Sequence, residues 1–517
     1  MRKKLIIVGG GAAGWISAAY LAKVLSDGLP QGLDITLIEA PDIGVIGVGE
    51  GTFPSIRKTF SRIGLSEDDL VREASATFKL GIRFVNWRGA ADSSGQDAYF
   101  HPFQIPAQHS DFDLLPYWLC GVAGDASWAS VSTVQQRVAD DRRAPKLISH
   151  AGHDGPLSYA YHFDAVELSR LLRRKAVSLG VTHLEDRVEQ VILGEDGAIQ
   201  SLRTRANGHL SADLYIDCTG FRAQLIGKTL GVPFHSERAH IFANRAVTLQ
   251  APYEQPGGPL ESQTISTAQE CGWIWDIGLK SRRGLGYVYS NDHCSDARAE
   301  ETLRRYAGAA GQGCEARFLD FEAGYRRTQW VKNCVAIGLS AGFIEPLEAT
   351  GIGFAEIAAL ILSNLFPWGG DYEVSARQFN SFMARRYSQV IDFIKLHYCL
   401  TQRADTDFWR DNVRPETIPD SLQDKLERWR FRPPSFLDMD PNYDIFTDAN
   451  WQYVLYGMGF QTDLTAQRGL FRYFDEARSQ FDAIRRQGDK ALTILPRHRD
   501  LVEQVFRSGF QPLQRRA

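Results

Sequence analysis

The sequence predicts an α/β fold: a Rossmann-like dinucleotide-binding module, a β-sheet region interleaved with it, and a mainly α-helical C-terminal part. Three observations carry this. Residues 4–8 (KLIIV) are a short β-branched run, followed by Gly9-x-Gly11-x-x-Gly14 and an apolar-periodic stretch from Trp15 to about Leu25. A second run, 34–39 (DITLIE), ends in an acid, so strand, glycine turn, helix and strand open the chain. From residue 374 onward Phe379, Phe382, Met383, Tyr387, Val390, Ile391 and Ile394 recur at three to four, the spacing of amphipathic helices.

Between these ends the elements follow in order. Residues 43–55 (IGVIGVGEGTFPS) are glycine-rich and read as a loop that lets backbone approach a ligand. Residues 78–87 (FKLGIRFVNW) read as extended. The region 90–155 is polar, aromatic and poorly periodic, and is expected to form surface loops. A helix is expected over 164–180. Strands are expected at 187–193 and 198–204, joined by a GEDG turn, and at Leu214–Asp217 leading into CTG. After QPGGP (Gln255–Pro259) come more strands, then VAIGLSAGF (Val335–Phe343) and a helix from about Gly351 to Leu365. The composition divides the chain into 1–370, the binding module with its interleaved sheet and loops, and 371–517, the helical region completing a substrate pocket.

Charge narrows the partners. With 517 residues, a net charge of −4 and 23% charged residues, nothing draws the chain to nucleic acid or to an anionic membrane. No 18-residue apolar run is present, which excludes a membrane helix. Seven cysteines without C-x-x-C or a His/Cys cluster fit a reducing, cytoplasmic setting and no metal site.

In the opening motif Gly9 permits a tight turn, Gly11 lets a pyrophosphate lie against amides at a helix N-terminus, and Gly14 allows close helix–strand contact. Glu39 is placed to accept hydrogen bonds from an adenosine ribose. A simple nicotinamide dehydrogenase rarely needs over 500 residues, whereas flavoproteins commonly leave and re-enter the first fold. DLYIDCTGFR (Asp213–Arg222) and VAIGLSAGFIEP (Val335–Pro346) look like such returns, so FAD is the expected cofactor. No second glycine fingerprint follows a strand, so reduced flavin is expected from a separate NAD(P)H-dependent flavin reductase.

Two motifs then become specific. GWIWDIG (Gly272–Gly278) resembles the W-x-W-x-I-P signature of flavin-dependent halogenases, the tryptophan halogenase family, at Trp273, Trp275 and Ile277, with Gly278 where the family has proline. FIEPLEATG (Phe343–Gly351) is similar to the second signature, F-x-x-P-x-x-S-x-G, at Phe343, Pro346 and Gly351, with Ala349 in place of serine. GWISAAYLA, GVGEGT, FKLGIRF, HPF (His101–Phe103) and RADTDFW (Arg403–Trp409) extend the likeness from residue 1 to beyond 450.

The resemblance implies FADH2- and O2-dependent halogenation of an electron-rich ring by hypohalous acid. Lys79 would receive that acid at the far end of a tunnel, by hydrogen bond or as a haloamine; read alone, it could equally be a lysine whose stem lies on apolar surface while its charge reaches water. Glu348 would orient the oxidant and take the ring proton, or simply favour a helix N-terminus. Thr350 and Gly351 match the positions whose amides hold chloride or bromide. Trp273 and Trp275 would be a barrier between flavin and substrate, or else two core indoles. Further cofactor contacts are implied at Ala12, Ala13, Gly49, Val188, Gly338 and Gly351.

His101, Phe103 and Phe446 match residues that flank an aromatic substrate. The segment PPSFLDMDPNYD has no Tyr-Tyr pair, and no acid at the expected spacing, to match those that grip free tryptophan in tryptophan-specific members, so indole or an indole-like ring is the expected substrate. A flavin-dependent aromatic hydroxylase and a flavin-binding protein without turnover are the alternatives. The assembly state, homodimer or other, is not legible in the sequence.

Overall fold

The computed structural model describes residues 2–26, 29, 32–44, 49–90, 97–107 and 112–513. The chain forms two compact units, each built from three segments: 1–76, 163–238 and 321–387 in the first, and 77–162, 239–320 and 388–517 in the second. The boundary near residue 370 read from composition is not one of these segment ends; the nearest is at Tyr387.

The first unit carries the expected module. Strand Lys4–Val8 lies in a six-stranded sheet between Asp34–Glu39 and Leu214–Asp217, both parallel to it. Thr182–Glu185 and Cys334–Ala336 extend the parallel set on either side, and Trp330–Val331 closes one edge antiparallel. Strands buried by flanking helices read as continuous apolar runs, and Leu5, Ile6, Ile7 and Val8 are all buried. Helix Ala12–Leu25 is buried along most of its length, which explains why its apolar residues surround it rather than forming one stripe. The returns at Leu214–Asp217 and Cys334–Ala336 pair with each other. The Asp217 carboxylate accepts the amides of Leu225 and Ile226, at 2.8 Å each, and ties the following turn to the strand.

The second unit is organised by a seven-stranded sheet in which Gly272–Gly278 lies between Thr264–Gln269 and Arg282–Tyr289. Gly81–Val85 and Ala98–Pro102 form one end of it. Helices dominate the C-terminal part, among them Tyr372–Cys399, Asp420–Trp429, Asp448–Gly457, Phe474–Ile494 and His498–Ser508.

Two expectations are corrected. The region 90–155 is not simply surface loop: it holds strand Ala98–Pro102 and helices Leu115–Leu119, Trp128–Ser132 and Gln135–Asp140, with Leu114, Leu115, Trp128 and Val138 buried. Helices this short span too few turns to register a period. The glycine-rich segment 43–55 includes a short strand, Gly49–Gly51, and leads into helix Ile56–Ile63, while residues 45–48 lie outside the described residues. No helix among the described residues is long and apolar enough to cross a membrane, and no group of three or more His, Cys, Asp or Glu side chains among them is arranged for a metal ion.

Candidate active site

The structure distributes the candidate residues between the units. Gly9, Gly11, Ala12, Ala13, Gly14, Glu39, Gly49, Val188, Gly338, Glu348, Thr350 and Gly351 belong to the first, and Lys79, His101, Phe103, Trp273, Trp275 and Phe446 to the second.

In the first unit the glycine turn is shaped for a dinucleotide. Gly9 has φ +118°, and a Cβ there would strike the Cys218 carbonyl; one at Gly14 would strike the Gly9 carbonyl. At Gly11 a Cβ would meet nothing within 4 Å, so its backbone is open to a phosphate group. Helix Ala12–Leu25 carries no acid in its first turn and no side-chain cap, leaving the amides and the positive end of the dipole for an anion. Gly338 has φ +76° and sits so close to Ala13 that a Cβ would fall 2.6 Å from the Ala13 Cβ.

Glu39 ends its strand as expected. Among the described residues its Oε2 makes no hydrogen bond, although the His183 ring nitrogen stands 2.9 Å away without the alignment of one and the Arg173 guanidinium lies 3.9 Å away. That oxygen suits a ribose hydroxyl. Its carboxyl also lies where a Cβ on Gly10 would be, a requirement for glycine that the three-glycine motif does not contain. The Val188 side chain is in the apolar core, and its carbonyl accepts the Gln224 side chain at 3.1 Å. These features fit FAD.

Helix Thr350–Asn364 begins unusually. Its cap, Ala349, is in the left-handed region (φ 56°, ψ 37°) and offers no side-chain oxygen to the first-turn amides. Thr350 is buried, and a Cβ on Gly351 would meet open space. Such a terminus can hold a small anion. Glu348, two residues before the helix, is 3% exposed. Farther along, Gly353 admits the ring of Phe53, which a Cβ would overlap. The Glu356 carboxylate accepts Thr59 Oγ1 at 2.6 Å and Ser55 Oγ at 3.0 Å.

In the second unit Lys79 is 1% exposed. The reading in which its charge reaches water is therefore overturned: strand Thr77–Lys79 is buried throughout and pairs antiparallel with Ala160–Asp164. Its Nζ stands 5.3 Å from the centre of the Phe103 ring, a distance at which the ring face attracts a cation.

Two buried histidines lie near this strand. His162, opposite Thr77, is held well below the ordinary histidine range by burial, by Lys79 and by His498; its Nε2 meets Thr264 Oγ1 at 2.8 Å. Burial pushes His498 down to about 4.

The aromatic residues gather on one framework. His101 is buried, with its Nε2 2.9 Å from the Asn450 side-chain nitrogen and its ring 5.7 Å from Phe393. Phe446 stacks on the same Phe393. Trp273 and Trp275 are both buried, 6.3 Å apart, and their indole N–H groups find no acceptor among the described residues. Trp273 also contacts Trp87. Asp438, the first of three aspartates in the divergent segment, is engaged by Arg432 at 2.6 and 2.7 Å and by the Ser435 amide at 3.0 Å.

Comparison with known proteins identifies the family. The family model described as Tryptophan halogenase matches residues 4–469. The chain belongs to the tryptophan halogenase family. It is similar to Tryptophan 6-halogenase SttH of Streptomyces toxytricini, at 35% identity over 88% of this chain and 89% of that protein. Among solved structures, a tryptophan halogenase from Shewanella frigidimarina superposes with a TM-score of 0.95 at 41% identity, covering 99% of both chains. BrvH, a flavin-dependent halogenase from Brevundimonas sp. BAL3, gives 0.86 at 32% identity over 98% of this chain and 99% of that one. The chain is thus a flavin-dependent halogenase, an oxidoreductase.

Sequence reasoning missed Gly10, His162 and His498. Gly10 was within view as the middle of GGG; neither histidine carries a local signal.

Proposed function

We propose that this halogenase acts on indole or an indole-like ring, with Lys79 receiving hypohalous acid and presenting its halogen to the ring. Bound reduced flavin, with dioxygen and a halide, supplies that acid. Lys79 carries the reading: an amine 1% exposed beside an aromatic face is shielded from competing water and held for a small electrophile. As an ammonium it polarises the acid by hydrogen bonding; as a neutral amine it forms an N–halogen bond and releases water.

The remaining roles follow the family signatures. Glu348 takes the proton as the halogenated ring regains aromaticity. The amides of Thr350 and Gly351 hold chloride or bromide. Gly9, Gly11, Gly14 and Glu39 hold the flavin, and Trp273 and Trp275 form the barrier that keeps the ring from direct hydroxylation. His101, Phe103 and Phe446 favour a flat, electron-rich substrate. Reduced flavin comes from a separate NAD(P)H-dependent reductase.

The test supplies purified protein with FAD, a flavin reductase, NADH, bromide and indole, and reads bromoindole by mass spectrometry. Lys79→Ala is expected to abolish bromoindole while flavin reoxidation continues. Bromination at the parent rate in that variant removes Lys79 from the mechanism.

A further inference from the structure

The two residues flanking Lys79 are tied to one distant stretch of chain. The amide of Leu80 donates to the Ser262 carbonyl at 2.7 Å. Strand Thr77–Lys79 is the edge strand of its sheet, and the amide of Phe78 donates not to a strand but to Nε2 of His498 at 2.9 Å. On its other side His498 Nδ1 is 3.3 Å from the Leu260 carbonyl. Residues 260–262 thus hold Lys79 from both sides, directly through Ser262 and through an imidazole at Leu260. The Phe103 amide donates to the Leu80 carbonyl at 3.1 Å, which sets the ring facing the lysine against the same backbone.

One tautomer satisfies both contacts of His498. With the proton on Nδ1, that nitrogen donates to Leu260 and Nε2 accepts from Phe78; an imidazolium would face the Phe78 N–H with another N–H. The ring is fully buried, and its burial keeps it neutral. Its own backbone is fixed as well: the His498 amide donates to the Arg142 carbonyl at 2.8 Å, and the Ala144 amide to the Pro496 carbonyl at 3.0 Å. Loss of the ring leaves a buried backbone donor unsatisfied beside the residue whose placement matters most, since small displacements of a reacting group have large effects on rate.

We propose that His498, from the C-terminal helix, is a positioning residue for Lys79: its imidazole caps the open edge of the strand and fixes the amine where hypohalous acid is received. This rests on the reading of Lys79 as the receiver of the oxidant.

The test compares His498→Leu, which fills the site without hydrogen bonds, with His498→Gln, whose amide can accept from Phe78 and donate to Leu260. Each is assayed with bromide, indole and a soluble diketone that traps escaping hypobromous acid. The measured quantity is the ratio of brominated diketone to bromoindole. A purely structural defect lowers both products together, whereas a misplaced lysine raises the ratio.

The leucine variant is expected to raise the ratio at least fivefold and to lose amide-exchange protection in residues 77–80; the glutamine variant is expected to stay within twofold of the parent. If the leucine variant is recovered unfolded, His498→Asn, too short to reach both partners, carries the same comparison. An unchanged ratio in the leucine variant, or a glutamine variant that leaks as much, overturns the role of His498. Lys79→Ala run in parallel separates the two claims: bromoindole at the parent level there overturns the reading of Lys79 itself.

Discussion

Phe446 stacks on Phe393 with ring centres 3.9 Å apart and planes 18° from parallel. Phe446 is 5% exposed, and Gln389 brackets it, donating to the Phe446 carbonyl at 2.8 Å while accepting the Ile445 amide at 2.8 Å. One face of the ring is therefore committed to the core, and only the other can meet a substrate. Phe446→Ala is expected to destabilise the protein by about 3–5 kcal/mol, the range for a buried aromatic truncated to a methyl, read as a lower urea midpoint. At saturating indole the folded variant should recover more of its bromination rate than at low indole, because lost stacking is mainly lost binding.

Trp275 lies directly across the ladder from Gly286, and its indole covers that residue so closely that a Cβ would overlap the ring. The glycine thus makes room for half of the tryptophan pair. Gly286→Ala is expected to displace the indole at a cost of about 1–3 kcal/mol, as overpacked cores do, with a changed near-ultraviolet circular dichroism spectrum. Bromoindole formation should fall although Trp275 itself is not substituted. A variant with parent spectrum and parent activity would show that the wall tolerates movement.

These two contacts mark where the sequence was legible and where it was not. The opening module could be read because strand, glycine turn and helix are set by local periodicity, and the returns at Asp217 and Ala336 because small residues follow each strand. Lys79 could be placed on an extended segment beside Phe78, yet its burial could not be read. That burial depends on a strand reaching residue 160, a carbonyl at Ser262 and a histidine at 498, none of which leaves a periodic mark near position 79. The short helices between residues 115 and 140 were missed for a related reason: the packing that buries them, rather than their own pattern, determines them. At Val188 the side chain is spent on the core, so the cofactor contact implied there would fall to its backbone.

Ala349 is a non-glycine residue in left-handed backbone (φ 56°) at the head of the Thr350–Asn364 helix. That conformation costs an L-residue about 1–2 kcal/mol, while glycine at the same place forfeits about 0.4–1 kcal/mol through the unfolded chain. Ala349→Gly is therefore expected to match or slightly exceed the parent in urea midpoint. Ala349→Val, whose branched side chain tolerates this region far less, should be destabilised by about 2 kcal/mol or more and should require more bromide for half-maximal rate.

Acid should destabilise the enzyme through His498. Its folded value is about 4, against an ordinary value of 6.5, so between those values the unfolded chain binds a proton that the folded protein refuses. Stability therefore rises with pH across this window and is lost as pH falls from 6.5 to 4, by on the order of 3 kcal/mol for this group. His162, held low by the same burial, adds to the loss. Glu50 acts in the opposite sense. Burial, with the Asp164 charge adding to it, raises its carboxyl from 4.5 to about 7, so the folded state holds the extra proton, and this contribution is present below 4.5 and lost as pH rises through 7. Urea midpoints of the parent should thus fall steeply from pH 6.5 toward 4, and His498→Gln should flatten that limb. Glu50→Gln should leave the acid limb in place and raise the midpoint at pH 8, where the parent holds this half-buried carboxyl ionised. A Glu50→Gln protein no more stable than the parent at pH 8 would show that this carboxyl reaches solvent.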